Sequence, residues 1–192
     1  MRTAKLRPSL REKKSHKLKK LSSLPKFKRS FRLTVNGTVL QPVSISELKD
    51  LFDIYSKIPV EWSSFNRLPF ITSVGQLAKE RLKFFFVKNN KNETKGACGI
   101  HIDRRRKRML IARIFVLPDV QRQGHGKNLM NALFEIGRKT GCRKAYGFVS
   151  AVDHPMALNE LNLMLSLGCR KASDKPVQFS NGLFWLIEKD LM

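Results

Sequence analysis

Apolar and polar positions alternate along Phe31-Arg32-Leu33-Thr34-Val35 and continue through Thr38-Val39-Leu40. A period of two predicts strands. Asn36-Gly37 between them suits the two positive-φ positions of a type I′ turn, so the segment reads as a hairpin. The period then changes. Leu48, Leu51, Phe52, Tyr55 and Ile58 fall on one face of a helix over Glu47–Lys57, with Ser46 placed to cap it. A connection carrying Trp62, Phe65 and Pro69 leads to a second, short helix over 73–81. Phe84-Phe85-Phe86-Val87 is a continuous apolar run short enough for a buried strand. Asn89 to Asn92 marks a turn, and Gly96–Asp103 makes the next strand. Arg104 to Arg108 forms another turn before a β-branched run reaching Val116.

The second half repeats these signals. Leu129, Met130, Leu133, Phe134 and Ile136 have helical spacing, and Thr140-Gly141 stops that helix near Lys139. Ala145–Ser150 reads as a strand, Pro155–Leu167 as a helix ended by Gly168, and Phe179–Glu188 as a final strand. An antiparallel meander followed by helix, strand, helix and strand predicts a mixed three-layer α/β (α+β) domain over 31–192. Its sheet is mostly antiparallel and flanked by helices. With 192 residues and 42% hydrophobic content, the chain can bury one sizeable core but not two. No internal repeat or coiled-coil heptad is present.

Between the long strand and its helix lies Val116-Leu117-Pro118-Asp119-Val120-Gln121-Arg122-Gln123-Gly124-His125-Gly126-Lys127. A helix start presents amides without intrahelical partners, together with the positive end of the helix dipole. Gly124 and Gly126 let backbone approach a bulky phosphate, and Arg122 and Lys127 add charge. The segment therefore reads as a pyrophosphate cradle. It is neither a Gly-x-x-x-x-Gly-Lys-Ser/Thr loop nor a dinucleotide fingerprint, because Leu129 stands at the third glycine position of the latter.

Gln121, Gly124 and Gly126 after a strand ending in Val-x-Pro resemble the acetyl-CoA signature of the GNAT superfamily of N-acetyltransferases. The order of elements extends that resemblance over about 38–192, with Phe31–Val35 as an added strand. It implies a GNAT-like fold and acetyl-CoA as co-substrate, with no metal. It further implies a binding set of Phe115, Val116, Leu117, Gln121, Arg122, Gln123, Gly124, His125, Gly126 and Lys127. In this reading the loop amides hold the pyrophosphate, the strand edge pairs with the pantetheine arm, and the backbone at Phe115–Val116 stabilises the developing oxyanion.

The general base and leaving-group acid stay open. The resemblance places a carboxylate about eleven residues before Gln121, where Leu110 stands, and Arg113 further along is no acid either. The candidates left are His101 and Asp103, which share one strand face, Asp153 and His154 after the following strand, and Glu61. The family's tyrosine, four residues before Gly168, is replaced by Met164; the two tyrosines of the chain are Tyr55 and Tyr146. Trp62, Phe65 and Phe70 fall where the family builds its acceptor wall, though core packing accounts better for one or two of them.

Charge adds a partner. The chain carries 38 Lys+Arg against 15 Asp+Glu, a net charge of +23. Residues 1–32 contribute +12 of this and the rest +11, so the folded part is basic as well as the arm. Such a field attracts polyanions. Lys13, Lys14, Lys17, Lys19 and Lys20 in the 1–30 arm, and Arg104, Arg105, Arg106, Lys107 and Arg108 in the turn, are the candidate nucleic-acid-binding residues. Blocks of like charge keep the arm unfolded in isolation, and it also reads as a nuclear address or a transit peptide.

Cys98, Cys142 and Cys169 make no Cys-x-x-Cys pair or complete disulfide set, and four histidines do not outline a zinc site. No apolar run is long enough to span a bilayer, and the first residues lack a signal-peptide core. The expectation is a cytoplasmic protein, monomer or homodimer, with the nucleoid or nucleus open through its arm. Its expected function is acetyl transfer to an amine of a protein or nucleic acid, on or near nucleic acid. Nucleobase modification belongs to that reading. The alternative is a non-catalytic GNAT scaffold that binds RNA, DNA or a ribonucleoprotein.

Overall fold

The computed structural model describes residues 32–58, 73–180 and 182–192, without the side chain of Met156. The basic arm with its lysines, Phe31, and the connection holding Glu61, Trp62, Phe65 and Phe70 lie outside the described residues. Strand β1 (Leu33–Val35) and strand β2 (Thr38–Pro42) form the hairpin, with Asn36 at φ 47° and Gly37 at φ 77° as its turn requires. A 3-10 turn (Ile45–Glu47) leads into helix α1 (Leu48–Tyr55). The start of this segment corrects the sequence reading. Ser44, not Ser46, is the cap, and its backbone N–H donates to the Glu47 carboxylate at 2.8 Å. A carboxylate three residues on closes a capping box at Ser44, which Ser46 cannot form.

Helix α2 (Val74–Lys79) starts at Ser73, whose hydroxyl accepts from the Gln76 N–H. Strands β3 (Lys83–Lys88), β4 (Thr94–Asp103) and β5 (Arg108–Val116) continue the meander. Helix α3 (His125–Lys139), strand β6 (Lys144–Ser150), helix α4 (Pro155–Ser166) and strands β7 (Arg170–Lys171), β8 (Val177–Phe179) and β9 (Gly182–Asp190) complete the order. The single terminal strand expected over Phe179–Glu188 is thus two strands, with Phe179 and Gly182 paired where the chain reverses. Gly182 at φ 139° supplies the reversal.

All nine described strands share one sheet, ordered β1-β2-β3-β4-β5-β6-β9-β7, with β8 pairing β9. Every neighbouring pair is antiparallel except β5 and β6, the pair bridged by the loop and α3. One face packs on α3 and α4 through Ile100, Met109, Ile111, Leu129, Leu133, Ile136, Leu161 and Met164. The other packs on α1 and α2 through Leu51, Ile54, Tyr55, Leu77, Phe84, Phe86 and Phe115. Burying apolar area on both faces is the main source of stability for such a three-layer core.

Candidate active site

Strands β5 and β6 pair only at Arg108↔Lys144, Met109↔Ala145 and Leu110↔Tyr146. Beyond Leu110 the two strands diverge, although β5 runs on to Val116 and β6 to Ser150. The edges they turn to each other form the walls of a cleft of about 680 Å³. Residues 110–116 line one wall, residues 145–149 the other, and the loop and α4 close one end. Leu117 N–H donates to the Lys95 carbonyl on β4 at 2.9 Å. Alternation along the strand therefore turns the Val116 N–H the other way, toward the cleft.

A bulge shapes the same wall. Ala97 pairs with Phe115 and Gly99 with Ala112, so Cys98 faces two residues of β5, Arg113 and Ile114. Arg113 takes a left-handed φ of 54°. It is 6% exposed, and its guanidinium pairs with the Glu80 carboxylate at the end of α2, with Nε donating at 3.2 Å. The Tyr55 hydroxyl donates to the Arg113 carbonyl at 2.6 Å. Burial, followed by the charge field of Cys98, raises the Tyr55 phenol well above its ordinary value, so it stays a donor. These bonds hold a conformation that costs a non-glycine residue ~1–2 kcal/mol. Gly96, opposite Val116, completes the junction: a Cβ there would lie 2.1 Å from the Phe115 carbonyl oxygen.

The loop presents its own donors. Pro118–Val120 forms a 3-10 turn, Arg122 takes φ 63°, and Gly124 caps α3 at φ 82°. Gln121 Nε2 donates to the Val116 carbonyl at 2.9 Å, fixing the loop to the strand it leaves. The first bond of α3 runs from Asn128 N–H to the Gly124 carbonyl. The His125, Gly126 and Lys127 amides therefore have no intrahelical partner. A Cβ on Gly124 would meet nothing within 4 Å, so its requirement is the backbone angle. At Gly126 a Cβ would touch Leu163 of α4 at 3.4 Å. The charged and backbone donors here suit a pyrophosphate, and the open strand edge suits an amide-bearing arm.

Of the residues expected to bind acetyl-CoA, Phe115, Val116, Gln121, Arg122, Gly124, Gly126 and Lys127 line the cleft. Leu117, Gln123 and His125 do not. The base candidates fall elsewhere. His101 pairs with Leu110, so it shares a sheet face with the cleft wall, but its Nδ1 lies 3.0 Å from the Arg81 carbonyl oxygen. Asp103 accepts from the Arg106 N–H in the turn, while Asp153 and His154 sit before α4. None of these four lines the cleft.

Sequence reasoning missed several residues. Arg113 with Glu80 and Tyr55 gave no signal, since their contact spans the sheet. Tyr146 and Phe148 line the cleft from β6. Glu160 on α4 also lines it and is exposed. Glu188 is held below the ordinary carboxylate value by hydrogen bonds from Lys144 and Arg170, partly opposed by burial. Among the described residues, no cluster of three His, Cys, Asp or Glu side chains is placed to hold a metal, and no helix is long and apolar enough to cross a membrane. Cys98, Cys142 and Cys169 are buried free thiols.

Splayed parallel strands, a bulged wall and a glycine-capped helix define this cleft. The family model for the acetyltransferase (GNAT) family matches residues 48–158, and the chain belongs to that family. Acetyl-CoA is the acyl donor of this family. No curated protein matches the chain in sequence. Solved structures share its fold. Spermidine N-acetyltransferase from Vibrio cholerae, in complex with CoA and spermine, superposes with a TM-score of 0.66 at 14% identity, covering 81% of this chain and 96% of that one. The ribosomal-protein-S18-alanine N-acetyltransferase from Escherichia coli gives 0.58 at 19% identity, covering 80% and 94%. A probable acetyltransferase from Chromobacterium violaceum gives 0.66 at 12% identity, covering 88% and 90%.

Proposed function

We propose that this chain transfers an acetyl group from acetyl-CoA to an amine of a protein or nucleic acid, at or beside a nucleic acid. The observation that carries the reading is the junction of β5 with its loop. There a bulged, unpaired strand edge meets the glycine-capped start of α3 in one cleft. The amides of residues 125–127, with Arg122 and Lys127, hold the pyrophosphate. The open edges of β5 and β6 bind the arm between them. The Val116 N–H lies where it can donate to the acetyl carbonyl oxygen as negative charge develops there. A neutral amine attacks that carbonyl carbon, the C–S bond breaks, and the proton lost by nitrogen ends on the thiol. The chain's positive field, with the exposed Arg104–Arg108 turn, brings the polyanion near.

Incubating purified protein with acetyl-CoA and either nucleic acid or basic protein, then measuring acetyl mass gain on each, tests this reading. Transfer that is abolished in Gly124→Glu supports it. A second reading rests on Leu110 and Met164, apolar residues where the family carries a carboxylate and a tyrosine. Acetyl-CoA binding without turnover supports that scaffold reading instead.

A further inference from the structure

Two turns that are distant in sequence meet at one end of the sheet. Residues 104–107 join β4 to β5, and residues 140–143 join α3 to β6. Arg143 N–H donates to the Lys107 carbonyl at 2.7 Å, Lys144 N–H reaches the same oxygen at 3.4 Å, and Arg108 is the register partner of Lys144. The Arg143 carbonyl accepts from Leu191 N–H at 2.9 Å, so backbone bonds fix the second turn on both sides. Arg104, Arg105, Arg106, Lys107, Arg108 and Arg143 are thereby held together, and all are exposed.

Carboxylates answer only part of this charge. Arg106 pairs with Asp103, while Arg138 and Lys139 at the end of α3 both pair with Glu135. Those two also lie at the negative end of the helix dipole, which accounts for them locally. Arg104, Arg105, Lys107, Arg108 and Arg143 have no carboxylate partner among the described residues. Neighbouring like charges repel, and a dense array of anions relieves the whole set at once. Guanidinium predominates, which suits bidentate phosphate contact. The set holds no aromatic side chain on which an unpaired base could stack, and no apolar one to enter a bilayer. Both facts favour a double-stranded polynucleotide, whose phosphates are dense and rigidly spaced.

Position decides what such a face can do. Strand β5 runs 9 residues from the basic turn to the start of the acetyl-CoA loop. At the rise of a strand that separates them by ~25 Å, more than about two Debye lengths at 0.1 M salt. Going beyond the acetyltransferase reading, we propose that the two turns form a docking face for the phosphate backbone of a duplex polynucleotide, separate from the acetyl-CoA cradle. The duplex is an anchor, and it stays bound while the cradle is filled. Arg143 belongs to this face although its sequence neighbours give no sign of it.

The test titrates a short fluorescent DNA duplex with the full chain over a range of salt. Only the backbone of Arg143 is bonded, so Arg143→Ala leaves the fold intact. It is expected to weaken duplex binding about fivefold or more near 0.1 M salt and to lower the slope of log K against log salt by about 0.9. Arg138→Ala removes the same charge from a paired residue outside the face and is expected to leave the slope unchanged. Equal losses in the two variants show that net charge alone carries binding and overturn the face, as does a slope that Arg143→Ala does not move. A loss confined to a single strand, to polyglutamate or to phosphatidylserine vesicles overturns the duplex as partner. Acetyl-CoA is then titrated by calorimetry into the chain with and without saturating duplex. Affinities within about threefold of each other support separate sites, and acetyl-CoA binding that disappears as duplex is added overturns them. Acetyl-CoA binding to neither sample overturns the acetyltransferase reading, while the Arg143→Ala result still decides the docking face.

Discussion

Arg113 shows how single residues hold this cleft open. A left-handed arginine in a strand is strained, and the Glu80 carboxylate and the Tyr55 hydroxyl fix it from different elements. Tyr55→Phe leaves the buried Arg113 carbonyl without its donor and is expected to cost ~1–3 kcal/mol by denaturant unfolding. Acetyl-CoA affinity should fall with it, because the bulge aims the strand edge. Unchanged stability and affinity in Tyr55→Phe would show that the bulge stands alone.

At the scale of elements, the β4–β5 junction depends on Gly96. A Cβ there collides with backbone rather than with a side chain that could rotate away. Gly96→Ala is expected to destabilise by ~1–3 kcal/mol and to weaken acetyl-CoA binding, both read against wild type. Wild-type stability would show that the strands can separate without cost. The far edge of the sheet is tied by Glu188 to Lys144 and Arg170. Its depressed value means that stability is gained above the ordinary 4.5 and lost as pH falls through the lower folded value. Lys144→Met should therefore unfold more readily at pH 7, by about 2 kcal/mol, with the gap to wild type closing below pH 4.5.

The junction also shows where reading the sequence stopped. Strong periods gave the hairpin, the meander and α3, and the glycines of the loop marked where the cradle lies. The bulge left no trace because β5 keeps alternating buried and half-buried positions throughout. Ile111 packs toward α3 and Phe115 toward α1, and only pairing with β4 reveals that the faces have exchanged. The divergence of β5 from β6 is equally invisible, since it is a relation between strands separated by a helix. The place of Tyr146 and Phe148 in the cleft escaped for the same reason. The terminal strand was misread because Asn181-Gly182, a turn signal of the same kind as Asn36-Gly37, was passed over.

For the whole molecule, charge and cleft act together. The folded part carries its own excess of basic residues, and the exposed Arg104–Arg108 turn leads into β5. Polynucleotide affinity should fall steeply with salt. Replacing Arg104, Arg105, Lys107 and Arg108 by alanine should reduce the slope of log K against log salt by about 0.9 for each phosphate no longer neutralised. A slope unchanged by all four substitutions places the polyanion elsewhere. Beneath acceptor and partner lies one claim, that the glycine-capped start of α3 and the open edge of β5 bind acetyl-CoA. Calorimetric titration of acetyl-CoA into the full chain and into Gly124→Glu tests it most directly. The expected result is one-site binding to the wild type and none to a folded Gly124→Glu, whose carboxylate and strained backbone occupy the cradle. Equal affinity in the two proteins would contradict it.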